Sequence, residues 1–368
     1  MAVAAAAAAA FSANTVFPTR GFPPSSDLRF FHVNNNNKQQ LNCFKTSTAA
    51  APIVRDSGSR GWTEFGEKVS GEWDGFGAEF TVDGKPIQLP ESVVPEAYRE
   101  WDVQVFDWQT QCPTLATQHP NNKNKNNDCT PSLFYKNIKL LPTVGCEADA
   151  ATTYTIQERH SHHSSAFAYQ PTTGSYVALW GDPLPNNNNK SVELELEHCL
   201  IDPSNRESRV RVIQVLELLQ GQVQELKLKS IRVFVEQWYG PFRNGDQLGG
   251  CAVRDSAFAA TRPLDASLVS GVWEGFAALA TFPTRQVDEQ RQFGGQCARK
   301  LIRDEGDLIL LPRQLWCSVK RADEDKTSCC FEVGWLLDRG RAITSKCTFS
   351  SFGEFKEIAL ASEIATTI

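Results

Sequence analysis

A short histidine cluster is the first grouping in this sequence whose spacing suggests chemistry. In His160-Ser161-His162-His163, the first and third residues would share one face of a strand, and imidazole is a common metal ligand. The third and fourth ligands of a tetrahedral site do not follow at any recognised spacing. We therefore expect a solvated strand end or loop, and we assign no metal site.

Three arginines form the second grouping, because a guanidinium fork suits a planar anion such as a ligand carboxylate or propionate. They are Arg209, Arg211 and Arg232. The alternative, which we favour, is that they face outwards and form ion pairs with glutamates of the preceding strand. Those glutamates are Glu193, Glu195 and Glu197.

Aromatic residues at strand positions form a third grouping that would line an apolar pocket. They are Trp108, Tyr135, Tyr176, Trp180, Trp238 and Trp335. Barrel cores contain such residues with no ligand present, so that alternative stays open. The candidate ligand-binding residues are Arg209, Arg211, Trp108, Tyr176 and Trp180.

Motifs of known enzyme classes are missing from the sequence. It contains no G-x-S-x-G elbow, phosphate loop, H-E-x-x-H or dinucleotide fingerprint. None of the 11 cysteines has C-x-x-C spacing, and the closest pair is Cys329-Cys330, so free thiols are expected and an oxidation-dependent disulfide stays open. We assign no catalytic residue and no cofactor, and favour a protein that is not an enzyme.

The elements that would position these residues have the period-2 pattern of strands. Val192, Leu194 and Leu196 alternate with glutamates, and a turn at 202–205 leads into a second apolar run at 208–219, which predicts an antiparallel hairpin. Other short runs, among them 101–110 and a three-stranded meander at 331–361, follow the same pattern. The fold class expected is all-β, with many short antiparallel strands.

An internal repeat lies two hundred residues apart. Residues 69–78 (VSGEWDGFGA) match residues 269–278 (VSGVWEGFAA) at seven of ten positions, including Gly71 and Trp73 in the first copy and Gly271 and Trp273 in the second. Identity of this density indicates two related modules in tandem. A tryptophan beside a glycine at a strand start is typical of a plug for a barrel mouth, so we expect these four residues to be structural.

Gly-x-Trp at the entry to the first strand resembles the lipocalin, or more broadly calycin, signature. The doubled motif is similar to an uncharacterised family of cyanobacteria and plastids built from two calycin-like domains. The resemblance implies two antiparallel lipocalin-like β-barrels in tandem, the second smaller or more open. It also implies an arginine stacked on each tryptophan, which the sequence does not identify. Related cyanobacterial calycins are lyases for bilin pigments, and no residue here matches such a site.

The chain divides into four expected segments. Residues 1–55 are small, hydroxylated and contain one acid against five bases, which resembles a plastid transit peptide. Residues 60–240 would form the first barrel, with Asn-rich loop insertions at 121–127 and 186–189. Residues 241–267 would be a linker, and 268–368 the second barrel.

Charge and hydropathy exclude some classes of binding partner. The first 55 residues carry a net charge of +4, although the whole chain carries −6. The remainder is therefore strongly acidic, which disfavours nucleic acid as a partner. No stretch is long and apolar enough for a transmembrane helix, although peripheral thylakoid contact stays open. The expected function is binding of a tetrapyrrole, carotenoid or fatty acyl compound in the chloroplast. The alternatives are an assembly factor for a plastid complex with side-chain-filled barrels and, last, a lyase-like enzyme acting on a bound pigment.

Overall fold

The computed structural model describes most of the chain after the predicted targeting segment. The described ranges are 57–120, 129–140, 153–181, 191–219, 225–246, 257–282, 290–321, 328–350 and 353–366. Both Asn-rich runs and part of the predicted linker lie outside these ranges. Within them the protein is all-β in character and belongs to one compact unit.

Eleven strands form the first sheet, which curls into a half-barrel. In chain order they are β1 (Glu72–Phe80), β2 (Asp107–Gln111), β3 (Thr114–Pro120), β4 (Cys129–Leu140), β5 (Thr153–His160), β6 (Ala166–Tyr169), β7 (Tyr176–Trp180), β8 (Ser191–Ile201), β9 (Ser208–Leu219), β10 (Glu225–Gly240) and β12 (Gln290–Gln292). Their order in the sheet is β12-β6-β7-β8-β9-β10-β1-β2-β4-β3, with β5 paired to β4. Neighbours are antiparallel, except that β12 runs parallel to β6.

Seven strands form the second sheet. They are β11 (Gly271–Thr281), β13 (Gly294–Arg303), β14 (Leu308–Leu311), β15 (Leu315–Arg321), β16 (Ser328–Asp338), β17 (Arg341–Ser350) and β18 (Phe355–Ala365). Their order is β13-β11-β18-β17-β16-β15-β14. The run β2-β1-β10-β9-β8-β7-β6 of the first sheet has the same order, so the sequence repeat corresponds to a repeat of strand topology.

The predicted hairpin and meander are confirmed. β8 and β9 pair along their whole length around the turn at 202–205, and β16, β17 and β18 form consecutive antiparallel pairs. The strand predicted at 101–110 is wrong in its first half, because it begins only at Asp107. The residues before it form a short helix, α2 (Glu96–Glu100), and a turn.

A further helix, α1 (Ser57–Val69), was not predicted. Trp62, Phe65 and Val69 recur at helical spacing and are buried in one cluster with Trp73. This helix closes one end of the first sheet. No helix in the described residues is both long and apolar enough to cross a membrane.

The two sheets pack face to face across a shared core. One face of each sheet, here called its core face, contributes aliphatic residues such as Val212 and Val333 to a single hydrophobic cluster. His198 lies in this core and contacts both sheets, with Nδ1 3.0 Å from Ser345 Oγ of the second sheet and Nε2 3.2 Å from Gln214 Oε1 of the first. The opposite side of each sheet, here called its polar face, carries the repeated tryptophans.

Candidate functional site

The two repeated tryptophans occupy equivalent places on the two polar faces. Trp73 and Trp273 are buried, and each indole N–H donates to a carbonyl four residues earlier, at 2.9 Å and 2.8 Å. Arg209 lies over the ring of Trp73 at 4.2 Å, and Arg303 over Trp273 at 5.3 Å. An arginine therefore lies over each tryptophan, but on β9 and β13 and not near the end of the last strand, where the resemblance places it.

A glycine two residues after each tryptophan allows a neighbouring strand, which carries a buried glutamate, to approach closely. A Cβ on Gly75 would lie 1.9 Å from the Val235 carbonyl, and one on Gly275 would lie 2.0 Å from that of Ser362. Only glycine fits this close strand approach. The residues paired with these glycines are Glu236 and Glu363, both buried, so each module has a glutamate at the same register.

The polar face of the first sheet is filled by a network of buried ion pairs. Glu236 accepts from Arg209 Nε at 2.7 Å and from Arg211 Nε and Nη2 at 2.9 Å. Arg211 Nη1 also donates to Glu197 at 3.1 Å, and Asn137 accepts from Arg211 Nη2. Both arginines are fully buried, so the favoured outward-facing arrangement is wrong for them.

Aromatic donors complete the surroundings of Glu197. Tyr176 OH donates to it at 3.0 Å, Trp180 Nε1 at 2.7 Å, and Tyr135 OH from β4, across the curl of the sheet. With Arg211, these donors saturate both oxygens of the carboxylate. Tyr176 and Trp180, predicted to bind a ligand, therefore bind a carboxylate of the protein itself.

The network continues from this buried centre towards solvent. Arg159 pairs with Glu197 and Glu195, and Arg232 Nη1 donates to Glu195 at 2.7 Å. Arg232 is 27% exposed, whereas Arg159 is 7% exposed. Trp108, the remaining predicted binding residue, lies elsewhere, packed on Phe234 under the loop before β2, with Lys139 Nζ 3.8 Å from its ring.

Charge pairing shifts the pKa values of the buried groups in this network. Burial raises the pKa of Glu197 and Glu236, but the guanidinium groups around them outweigh it and hold both pKa values below the usual range. Burial, reinforced by Glu197, raises the pKa of Tyr135 and Tyr176 well above the usual range. The carboxylates are therefore ionised and the tyrosines neutral at physiological pH.

The second sheet keeps the glutamates of this layer but loses the arginines between them. The two sheets can be aligned by their strand registers, with Glu236 of the first matched to Glu363 of the second. In this alignment Glu197 corresponds to Glu332, whereas Arg209 and Arg211 correspond to small residues. Those small residues are Ala342 and Thr344. Arg303 and Arg299 of β13 replace the missing cations from the opposite side.

These two arginines are incompletely paired. Arg303 Nε and Nη2 donate to Glu332 at 3.1 Å and 3.0 Å, and Nη2 also to Glu363 at 2.6 Å. Arg303 Nη1 is buried with no acceptor, and Arg299 Nη1 likewise, 3.9 Å from the nearer oxygen of Glu363. The indole N–H of Trp316, whose ring lies 5.1 Å from the Arg303 guanidinium, also has no acceptor. These three buried donors therefore have no acceptor among the described residues.

A cavity of about 80 Å³ is lined by Arg299 and Arg303. Its charged lining comprises Arg299, Arg303, Lys320, Lys346, Asp307 and Glu332, an excess of two positive charges. Leu301, Ile302 and Leu308 add apolar wall. The guanidinium groups of Arg303 and Arg299 outweigh the effect of burial and lower the pKa of Glu332, so this carboxylate stays charged. Sequence reasoning missed this site, although Arg299, Leu301 and Arg303 alternate on one predicted strand.

The histidine cluster lies at the end of β5 and in the short turn that follows it. The rings of His160, His162 and His163 lie 4.1 Å to 5.6 Å apart, and Ser132 Oγ is 3.2 Å from His162 Nδ1. Among the described residues, no group of three or more histidine, cysteine or acidic side chains is arranged to hold a metal ion.

No protein-family model matches the chain, and no curated protein does. A protein of unknown function from the DUF3598 family of the cyanobacterium Nostoc punctiforme is 13% identical, with 83% of this chain and 98% of that one covered and a TM-score of 0.43. A putative outer membrane protein from Bacteroides fragilis (9% identical, 82% and 99% covered) has a TM-score of 0.16. Outer membrane phospholipase A from Escherichia coli (4%, 80% and 90%) has 0.17. At TM-scores below 0.5, none of these likenesses carries function to this chain.

Proposed function

We propose that this is a chloroplast protein, soluble or peripheral to the thylakoid, that binds an apolar small molecule bearing an acid group. The ligand's acid group occupies the cavity on the polar face of the second sheet. The observation that carries the proposal is the pair of buried, unpaired guanidinium donors, Arg303 Nη1 and Arg299 Nη1. A buried donor without an acceptor costs about 1–3 kcal/mol, and a carboxylate would satisfy both donors.

The cavity favours one class among the expected ligands. A site that encloses a whole drug-sized molecule has a volume of roughly 300–1,000 Å³, so 80 Å³ holds a head group and leaves the apolar remainder outside. Leu301 and Leu308, both partly exposed, provide apolar surface next to the head group. This arrangement supports a fatty acyl carboxylate most directly, a tetrapyrrole propionate next, and a neutral carotenoid least.

The first test is titration calorimetry of the full chain with decanoate and with decanol. We expect decanoate to bind, decanol to bind at least tenfold more weakly, and Arg299→Gln to remove the difference, since a hydrogen bond to a charged group contributes about 1.5–3 kcal/mol. Arg262→Gln is the matched control, because Arg262 is 85% exposed and pairs only with Asp265 among the described residues. Equal affinity for the acid and the alcohol would contradict the proposal.

The native ligand and the compartment need a second experiment. We expect the protein purified from chloroplasts to yield a stoichiometric organic acid on extraction and mass spectrometry. A fluorescent protein carrying residues 1–55 should enter the chloroplast. A cytosolic signal for the fusion would contradict the proposed localisation without affecting the binding proposal.

The filled polar face of the first sheet favours a second candidate, an assembly factor for a plastid complex. Glu197 and Glu236 are saturated by side chains of the protein, which leaves no room for a ligand at Arg209 or Arg211. For this candidate we expect a stable protein partner to co-purify from chloroplasts with no small molecule in the complex. Recovery of the protein alone with a bound acid would exclude it.

A further inference from the structure

Cys330 is the cysteine that lines the cavity of the second sheet. Of the cysteines whose side chains the structure describes, Cys330 alone is in the cavity wall. It is partly exposed, with its Sγ 3.7 Å from Thr348 Oγ1. The adjacent Cys329 points to the opposite face, where it packs on the shared core, and burial raises its pKa to about 11. The chain thus places one accessible thiol in the cavity and one inert thiol directly beside it.

The same cavity attracts and orients an anionic reagent. Cys330 pairs across the strands with Lys320, whose Nζ lies 2.7 Å from Asp307 Oδ2, and Lys346 and Arg299 also line the cavity. A concave site with an excess of positive charge raises the local concentration of anions. The unpaired donor on Arg303, which is 3% exposed, fixes where the anion would be held.

The strand geometry sets the distance from that anion site to the thiol. Cys330 and Glu332 are two residues apart on β16, which corresponds to about 7 Å along one face of a strand. Arg303 is held on Glu332 by hydrogen bonds of 3.1 Å and 3.0 Å. A carboxylate held level with Glu332 would therefore lie roughly 7 Å from Sγ, the span of five or six bonds in an extended chain.

We propose that Cys330 captures an electrophilic acid covalently, namely an α,β-unsaturated carbonyl compound whose carboxylate is held by Arg303 and Arg299. This inference rests on the proposed function and names the ligand class more closely. The sulfur forms a bond to the β-carbon as the carbon–carbon π bond breaks, and the proton lost by the thiol ends on the α-carbon. The addition has no leaving group and needs neither oxidant nor reductant.

The test measures labelling of individual cysteines in the full chain by tandem mass spectrometry. The probes are 3-maleimidopropanoic acid, whose alkene carbon and carboxyl carbon are five bonds apart, and neutral N-ethylmaleimide. Cys297, which is partly exposed on β13 and outside the cavity lining, serves as the internal reference. We expect the ratio of Cys330 to Cys297 labelling rates to be at least tenfold higher with the acid probe than with the neutral one.

Variants separate capture in the cavity from ordinary thiol reactivity. Arg299→Gln and Arg303→Gln should each abolish the preference for the acid probe. 6-Maleimidohexanoic acid, whose alkene and carboxyl carbons are eight bonds apart, is longer than the span and should show less of it. Cys329→Ser should leave Cys330 labelling unchanged, because Cys329 faces the shared core. Equal Cys330 to Cys297 ratios for the two probes, or a preference that survives both arginine variants, would overturn the inference.

Decanoate distinguishes failure of this inference from failure of the proposed function. Decanoate has no electrophilic carbon, so its binding tests the anion site alone. If decanoate binds and Cys330 shows no preference for the acid probe, covalent capture is wrong and the binding function stands. If decanoate does not bind and the preference is also absent, both are wrong. Protection of Cys330 from the acid probe by decanoate would support both.

Discussion

Glu236 pairs with two fully buried arginines. Its replacement by glutamine tests how much stability is lost when these buried charges lose their carboxylate partner. Glu236 accepts three hydrogen bonds of 2.7 Å to 2.9 Å from Arg209 and Arg211, and all three side chains are fully buried. Removing one partner of a buried ion pair costs about 3–5 kcal/mol, because the remaining charge stays uncompensated. We expect Glu236→Gln to lower the free energy of unfolding by about 4 kcal/mol.

The matched control is Glu193→Gln. Glu193 accepts from Lys229 at 2.6 Å, an equally short ion pair, but both side chains are about half exposed. Exposed pairs contribute less than about 1 kcal/mol, so this variant should be nearly as stable as the parent. Both variants are measured by urea unfolding followed by tryptophan fluorescence. Similar losses of unfolding free energy in the two variants would refute the claim that burial makes the loss of one ion-pair partner costly.

The pH dependence gives the same test a second readout. The folded-state pKa of Glu236 lies below its ordinary value of 4.5, so its contribution to stability is present above about pH 4.5 and is lost as pH falls through the folded-state pKa. The stability difference between parent and Glu236→Gln should therefore shrink under acid conditions. A difference that grows as the pH falls would contradict the assignment of an ionised Glu236.

Three further predictions concern the strand crossings, the shared core and the second tryptophan. Gly75→Ala and Gly275→Ala should each cost more than about 2 kcal/mol in urea unfolding because their Cβ atoms meet backbone, whereas Gly306→Ala, with open space around it, should change little. Burial lowers the pKa of His198 to about 4, so stability should fall by up to about 3 kcal/mol between pH 6.5 and 4, and His198→Gln should flatten that slope in pH-dependent unfolding. Trp273→Phe, which loses the hydrogen bond to Val269, should cost about 1–2 kcal/mol by the same assay, and a neutral result would argue against its role as a plug.

Local patterns in the sequence predicted much of the fold, because they report directly on strands. The alternation at 192–197 and the turn at 202–205 gave the β8–β9 hairpin, and the doubled Gly-x-Trp motif indicated the repeat of strand order. The helix α1 was missed, although its apolar residues recur at helical spacing. Whether these sheets are two lipocalin-like barrels stays a prediction.

The site was much less predictable, because ion pairing across a curled sheet leaves no local signature. Arg209 and Arg211 alternate with apolar residues, which is also the pattern of a strand with one solvent-exposed face. That face is buried only because β4 and β5 curl over it. Arg303 and Glu332 are 29 residues apart, and their pairing depends on the register of the three strands that lie between β13 and β16 in the sheet. Spacing along the chain carries no information on such contacts.

The comparison of the two polar faces explains why a binding site would arise in the second sheet and not in the first. At equivalent registers the first sheet has Arg209 and Arg211, which fill the space beside Glu236, whereas the second has Ala342 and Thr344. The glutamates remain, so the cations must come from the edge strand β13, and they approach with part of each guanidinium unpaired. The same exchange of large side chains for small ones leaves volume and removes two cations that lie between the glutamates in the first sheet. Under the proposed function, the duplicated framework would then be filled by its own side chains in one copy and bind an anion in the other.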